Sequence, residues 1–251
     1  ISPDHKDSMW SIETKYLPED KITSLKRWLL NFSGDLDFNN NTHLSAQYSR
    51  VSDSDYFKEI ARTNTDKKTL KSFIKLTYDD KDESLSLGLL TEDEQLINAG
   101  TPVYTRALEA SISKTFNADS KMPINASLVS TKFAHDTKSK TAGVRTHGNL
   151  GTSRELNIAY PKVIPKASVA ITNYSLKNSP NINRTIFGSG LDIDFTFINP
   201  SIIFGNKVNH RITPLISYNY RAKKVQGNIP IFDTEDKYTD IITFADLTSG
   251  E

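Results

Sequence analysis

The side chains best placed to do chemistry are two carboxylates, Asp192 and Asp194, separated by a single isoleucine. In an extended strand they share one face about 7 Å apart, and a carboxylate pair can act as acid and nucleophile in glycoside hydrolysis. The neighbours that such a reaction needs cannot be identified, and two residues on one strand are weak ground for a site. Alternation instead puts them, with Thr196, on a wet wall, and Ser84 and Ser86 are expected on the same kind of surface. No catalytic residue is therefore assigned, and the chain is not read as an enzyme. His5, His43, His135, His147 and His210 show no His-x-His or His-Glu-x-x-His spacing, and there is no cysteine, so neither a metal nor any other cofactor is expected. Gly148-Asn149-Leu150-Gly151 is not followed by Lys-Ser or Lys-Thr and opens no helical pattern, which makes it a flexible part of a surface loop rather than a phosphate cradle. The Asn-x-Ser/Thr triplets at Asn31, Asn125, Asn173 and Asn183 are coincidental in a chain rich in Asn and Ser.

Charge narrows the partners. Lys+Arg 31 against Asp+Glu 30 gives a formal net charge of +1, which offers nucleic acid no basic field. No run of about 18 apolar residues exists to make a transmembrane helix. Ile1 has no basic and apolar leader behind it, so the sequence is expected to be an internal piece of a longer chain. A mean hydropathy of -0.47 does not exclude a membrane barrel, where only alternate strand residues meet lipid.

The elements that must position these residues are strands. Apolar and polar residues alternate in segments of roughly ten residues, for example Leu85, Leu87 and Leu89 against Ser84, Ser86 and Gly88. Leu191, Ile193, Phe195 and Phe197 alternate in the same way with Asp192, Asp194 and Thr196. About eleven strands are expected, starting near Met9, Arg27, Thr42, Lys68, Ser84, Val103, Ile124, Arg154, Lys166, Arg184 and Asn209. Longer connections are expected near Pro18 and over residues 53–65, 92–100 and 135–152. Shorter ones fall near Asp37 and over residues 79–82, 117–120 and 161–165. Such turn-taking suits an up-and-down barrel with tight turns on one rim and extended loops on the other, although residues 178–182 and 200–208 break it. Trp10, Tyr16, Tyr78, Tyr104, Phe116, Tyr160, Tyr218 and Tyr220 fall near strand ends, where rings of a barrel form interfacial girdles. The fold class is all-β: an antiparallel up-and-down transmembrane β-barrel segment, an open curved sheet when taken alone.

Three segments carry a resemblance. Tyr16-Leu17-Pro18-Glu19-Asp20-Lys21 precedes Arg27-Trp28-Leu29-Leu30-Asn31-Phe32. Tyr48-Ser49-Arg50-Val51-Ser52-Asp53-Ser54-Asp55-Tyr56-Phe57 follows, its signature positions being Val51, Ser52, Asp53, Tyr56 and Phe57. Arg211-Ile212-Thr213-Pro214-Leu215-Ile216-Ser217-Tyr218-Asn219-Tyr220 comes later, with Pro214, Tyr218 and Tyr220, and leads into an acidic surface loop over residues 232–240. In this order they resemble the barrel domain of the lipopolysaccharide-assembly outer-membrane protein family (LptD, also called Imp or OstA).

That resemblance implies a barrel of about 26 strands, of which residues 1–251 would be a middle part lacking the periplasmic jellyroll and both gate strands. It also implies location in the bacterial outer membrane and insertion of lipopolysaccharide into its outer leaflet. The implied partners are lipopolysaccharide, outer-membrane lipid, an LptE-like plug lipoprotein, and a periplasmic bridge protein reached through the jellyroll. Two other readings fit the alternation: a different outer-membrane barrel, porin or receptor, that passes small solutes, and a soluble β-rich carbohydrate-binding protein whose Leu191-to-Phe197 face packs on a second sheet.

Overall fold

In a computed structural model, residues 8–60, 68–97, 102–137, 140–177, 179–203, 206–222, 224 and 229–233 are described. Among these residues thirteen strands and one short helix follow in chain order. They are β1 (Met9–Leu17), β2 (Arg27–Asp37), β3 (Thr42–Val51), α1 (Tyr56–Glu59), β4 (Thr69–Asp80), β5 (Leu85–Leu96), β6 (Thr105–Phe116) and β7 (Ile124–Ala134). Next come β8 (Gly143–Ser153), β9 (Lys162–Leu176), β10 (Ile182–Asp194), β11 (Phe197–Ile203), β12 (Asn206–Ile212) and β13 (Leu215–Arg221). Eleven of them form one antiparallel sheet in chain order from β1 to β10 and then β13, while β11 and β12 make a separate hairpin. The sheet is open: β1 and β13 are its two edges.

Register sorts the side chains into two faces, because directly opposed residues of antiparallel strands point the same way. One row runs Tyr78, Leu87, Ile112, Leu128, Gly148, Ile171 across six strands. Another runs Leu36, Leu44, Leu76, Leu89, Ala110, and a third Ala126, Leu150, Val169, Phe187. Leu87, Leu89, Ile112, Leu128, Ile171 and Phe187 stand exposed, so none of the described residues covers this part of the continuous apolar face. Its charged residues, Arg50, Asp80, Asp93, Lys114 and Lys132, all lie near strand ends. The opposite face is polar, as in the row Asp79, Ser86, Ser113, Ser127, Asn149. A register shift at Ala107 brings Arg106 and Glu109 onto this polar face together, 3.5 Å apart, the effect of one extra residue in a ladder.

Several sequence expectations are corrected. Residues 143–153 form β8 in the interior of the sheet, so Gly148-Asn149-Leu150-Gly151 is strand and not a flexible surface loop, and no strand starts at Arg154. The strand's apolar stripe is thin because Gly148 occupies it; a Cβ there would sit 3.5 Å from Leu128 Cδ1, so neighbouring side chains cover the gap. β5 continues through residues 92–96, which were expected to be loop, and β9 begins at Lys162, inside the expected turn over 161–165. The last expected strand is two, β12 and β13, interrupted at Thr213-Pro214, and residues 200–208 lie mostly in the hairpin rather than in a connection. Connection lengths follow the expected turn-taking only up to β5. Residues 61–65 of one expected loop and 98–100 of another lie outside the described residues.

At the β3–β4 seam the pairing stops at Gln47↔Phe73, and side chains replace the ladder. The Ser49 amide donates to Ser72 Oγ (3.1 Å), the Val51 amide to Gln95 Oε1 (2.9 Å), and Gln95 Nε2 returns a bond to the Val51 carbonyl (2.7 Å). Satisfied polar backbone is what a water-free surrounding demands. At β1 and β13 the outer row of backbone groups has no strand beside it among the described residues, which makes each edge a template for pairing with another chain. Expressed as residues 1–251 only, the protein is expected to aggregate in buffer and to need detergent; size-exclusion chromatography giving a monodisperse monomer without detergent would contradict this.

Candidate functional site: the polar face and its rim

The signature residues of the second matched segment meet at the rim, where β2 starts and β3 ends. Leu29, Val51, Tyr56, Leu70 and Ile97 form a buried cluster, with Phe57 and Ile60 packed against it. Burial pushes the Tyr56 phenol up. Beside this cluster Arg27, whose side chain is 3% exposed, meets three carboxylates: Nη1 donates to Asp53 (2.5 Å), Nη2 to Glu59 (2.5 Å), and Nε lies 3.5 Å from Asp20. Asp53 is itself held by Ser52 Oγ (2.6 Å) and the Asp55 amide (3.1 Å). One guanidinium thus ties the β1–β2 loop, the root of β2 and the α1 segment together. The sequence placed Arg27, Asp20 and Asp53 in matched segments but gave no sign that they converge, because the convergence depends on α1 folding back over β2.

Pro214 and the paired tyrosines lie elsewhere. The Pro214 carbonyl accepts from the Phe195 amide (3.0 Å) in the linker before β13, and Tyr218 and Tyr220 stand opposite Leu191 and Ser189 on the apolar side of an edge strand. Tyr104, expected in a girdle, turns instead into a cluster over the polar face.

Ser86, Asp192 and Asp194 do lie on the polar side. Ser84 is in the turn before β5 with φ 49, and Thr196, just past β10, reaches Asp194 Oδ1 (3.3 Å). Ser84 and Ser86 share a shallow cleft with Ser113, Asn125, Ser127 and Asn149. Asp192 is engaged across strands by Lys166 and Ser217, whereas the contact of Asp194 with Thr196 is local. The five groups are thus divided between a cleft around β5 and the end of β10.

A second buried arginine was outside the sequence reading, since β8 was taken as loop. Arg145 is 4% exposed and donates both Nη1 and Nη2 to Asp233 (2.7 and 3.0 Å), while Arg106 Nη2 lies 4.0 Å from the same carboxylate. Phe232 stacks on Phe133 (centroids 4.5 Å, 9°) and meets Tyr104 edge-on (5.0 Å); Tyr174 is also in the cluster. Residues 232 and 233 are therefore docked on the sheet and not part of an exposed acidic loop; residues 234–240 lie outside the described residues. Burial pushes the Tyr104 phenol up, and its hydroxyl donates to the Thr141 carbonyl (2.9 Å).

Removing the rim guanidinium leaves three carboxylates facing each other. Arg27→Leu is expected to loosen the rim, by less than loss of a fully buried pair because Asp53 and Glu59 are partly solvated, and to speed amide exchange at Glu59 and Ile60; unchanged exchange would contradict it. Asp20 has its pKa lowered, first by the Ile22 amide, with Thr23 and Arg27 assisting against burial. A depressed carboxylate contributes stability above its ordinary range, about pH 4, and loses it as pH falls through the lowered value. Rim exchange, corrected for intrinsic rates, is thus expected to stay flat from neutral pH to about pH 4 and to rise below it. A rise already complete at pH 6 would contradict the assignment.

Comparison with known proteins bears on this arrangement. The family described as LptD, LPS transport system D, matches residues 26–241. The LPS-assembly protein LptD of Hahella chejuensis is 24% identical, covering 88% of this chain and 30% of the relative. That of Thiobacillus denitrificans is 26% identical over 86% of this chain and 30% of the relative, and that of Neisseria gonorrhoeae 24% over 88% and 29%. The chain thus spans about 30% of the length of these relatives. With the family matched over most of its length and an open, two-faced antiparallel sheet as its fold, the chain belongs to the LptD family of lipopolysaccharide transport and assembly proteins.

Proposed function

We propose that residues 1–251 are a wall segment of an outer-membrane β-barrel that inserts lipopolysaccharide into the outer leaflet of the outer membrane. The observation that carries this reading is the division of one eleven-strand sheet into a continuous, uncovered apolar face and a hydrogen-bonding face. An apolar patch of that extent needs a cover, and acyl chains supply one to strands whose backbone is already paired. The remaining strands, both gate strands and a periplasmic jellyroll would come from sequence outside this piece. The polar face would line the interior, where Ser84, Ser86, Asp192, Asp194 and Thr196 would meet the sugar part of the lipid or a plug lipoprotein. A periplasmic bridge protein would deliver lipid through the jellyroll. A porin reading and a soluble sugar-binding reading are not favoured, since the relatives are LPS-assembly proteins and no second sheet covers the apolar face among the described residues.

The test uses the full-length parent protein. Leu89→Arg and Leu128→Arg place a charge on the apolar face and are each expected to cost about 2–4 kcal/mol of folding stability in bilayers and to lower surface lipopolysaccharide in cells depleted of the native copy. Ser113→Arg on the polar face is expected to be tolerated in both measurements. Equal tolerance on the two faces would overturn the reading.

A further inference from the structure

Between β10 and β13 the chain leaves the eleven-strand sheet and forms the β11–β12 hairpin. The hairpin stands on the rim where β2, β4, β6 and β8 also end, the rim of the short turns 38–41 and 81–84. In a transmembrane wall one rim carries tight turns, and residues 195–214 are the longest connection on this one. Among the described residues no strand of the large sheet pairs with the hairpin, and two strands by themselves are marginally stable in water.

Two observations point to what supports it. One is the apolar surface that reaches its root. Along β10, Leu191 and Ile193 lie on the apolar side, opposite Tyr218 and Ile216. The Phe195 amide then donates to the Pro214 carbonyl (3.0 Å), and Phe197 opposes Ile212 as the first pair of the hairpin. Tyr160, from the β8–β9 connection on the same rim, meets the rings of Phe195 and Phe197 edge-on, with centroids 6.1 Å from each. Phe197 and Ile212 are more than half exposed, and the next pair on their side of the hairpin, Asn199 and His210, is polar. The apolar surface therefore ends at the hairpin root with aromatic rings at its border, the order of side chains that leads from hydrocarbon through headgroups to water. The other observation is charge. Residues 195–214 hold Lys207 and Arg211 and no acidic residue, in a chain whose Lys+Arg and Asp+Glu are nearly even at 31 and 30. Asp194, just before them, lies on the opposite, polar side. Arg211 adjoins Ile212, is exposed, and is bonded to no carboxylate among the described residues.

We propose that the β11–β12 hairpin is an anchor on an anionic phospholipid surface at the rim of short turns, with Phe197 and Ile212 in the interfacial zone and the basic charge of the hairpin held by headgroup phosphates. The inference rests on the reading of the apolar face as membrane-facing and adds to it a docked element outside the spanning wall. Interfacial binding of this kind combines buried apolar area with attraction to anionic lipid, and each Lys or Arg close to the surface adds to that attraction within a Debye length.

The experiment follows hydrogen exchange by mass spectrometry in the full-length parent protein, reconstituted into vesicles of phosphatidylcholine alone or of phosphatidylcholine mixed with phosphatidylglycerol. Amides of residues 197–212 are expected to exchange about fivefold more slowly on the mixed vesicles, the scale of one cation near an anionic surface, after normalisation to the 81–84 turn, which meets the same surface pH. Raised salt is expected to erase the difference. Arg211→Glu is expected to exchange as the parent does on phosphatidylcholine, which shows that the hairpin still forms, and to lose the slowing on mixed vesicles; Arg211→Lys is expected to keep it. Equal exchange on the two compositions, or slowing that Arg211→Glu retains, would overturn the inference, and strong protection on both would assign the hairpin to a protein surface instead. Neither result touches the wall itself, which requires β5 to β9 to be protected in both kinds of vesicle; loss of that protection would overturn the transport reading.

Discussion

The constraint on which everything else depends is that a backbone surrounded by hydrocarbon has no water to turn to, so each amide and carbonyl must find its partner in the neighbouring strand. The eleven-strand sheet meets most of that demand in its interior by antiparallel pairing between successive strands. Where the β3–β4 ladder gives out, Gln95 and Ser72 take over the missing backbone partners. Among the described residues, the edge strands β1 and β13 each have a strand on one side alone, so their outer backbone groups have no ladder partner there. A soluble sheet of this size would cover its apolar side with a second layer, and half-exposed leucines run from strand to strand without one among the described residues.

Pairing leaves the side chains free to differ on the two sides, and both buried arginines exploit that freedom. Arg27 gathers loop carboxylates at the rim, and its contacts extend one residue-to-residue chain from Asp20 to Glu59. Arg145 holds a segment from beyond the last strand against the polar face. Each is a single cation whose removal strands carboxylates in poorly hydrated surroundings, so each gives a loop a defined place that hydrophobic contact alone would leave loose.

Much of the sheet was legible in the alternation itself. Leu85-Ser86-Leu87-Gly88-Leu89 can satisfy only one periodicity, and the faces it implies are those found. What escaped had physical reasons. β8 hides because its apolar positions include Gly148, covered by Leu128, so its signal lies in neighbours that sequence order does not adjoin. The β11–β12 hairpin escaped because the alternation through Asp192 to Phe197 runs on across the break after Asp194. Pro214 was recognised as a signature residue, yet its role in separating β12 from β13 depends on the missing donor of a proline within a pairing strand. Alternation shows which residues share a side with Asp192 and Asp194, whereas the Arg27–Asp53 and Arg145–Asp233 contacts join residues 26 and 88 positions apart, which no local pattern encodes.

The most direct measurement is site-directed spin labelling of the full-length protein in bilayers, one label at a time along β5 and β9, with accessibility to oxygen compared with that to a water-soluble nickel chelate. The account expects a strict period of two: labels at positions 87, 89, 169 and 171 favour oxygen and those at 86, 88, 168 and 170 favour the chelate. Equal accessibility at successive positions, or preference for the chelate on both sides, would contradict it.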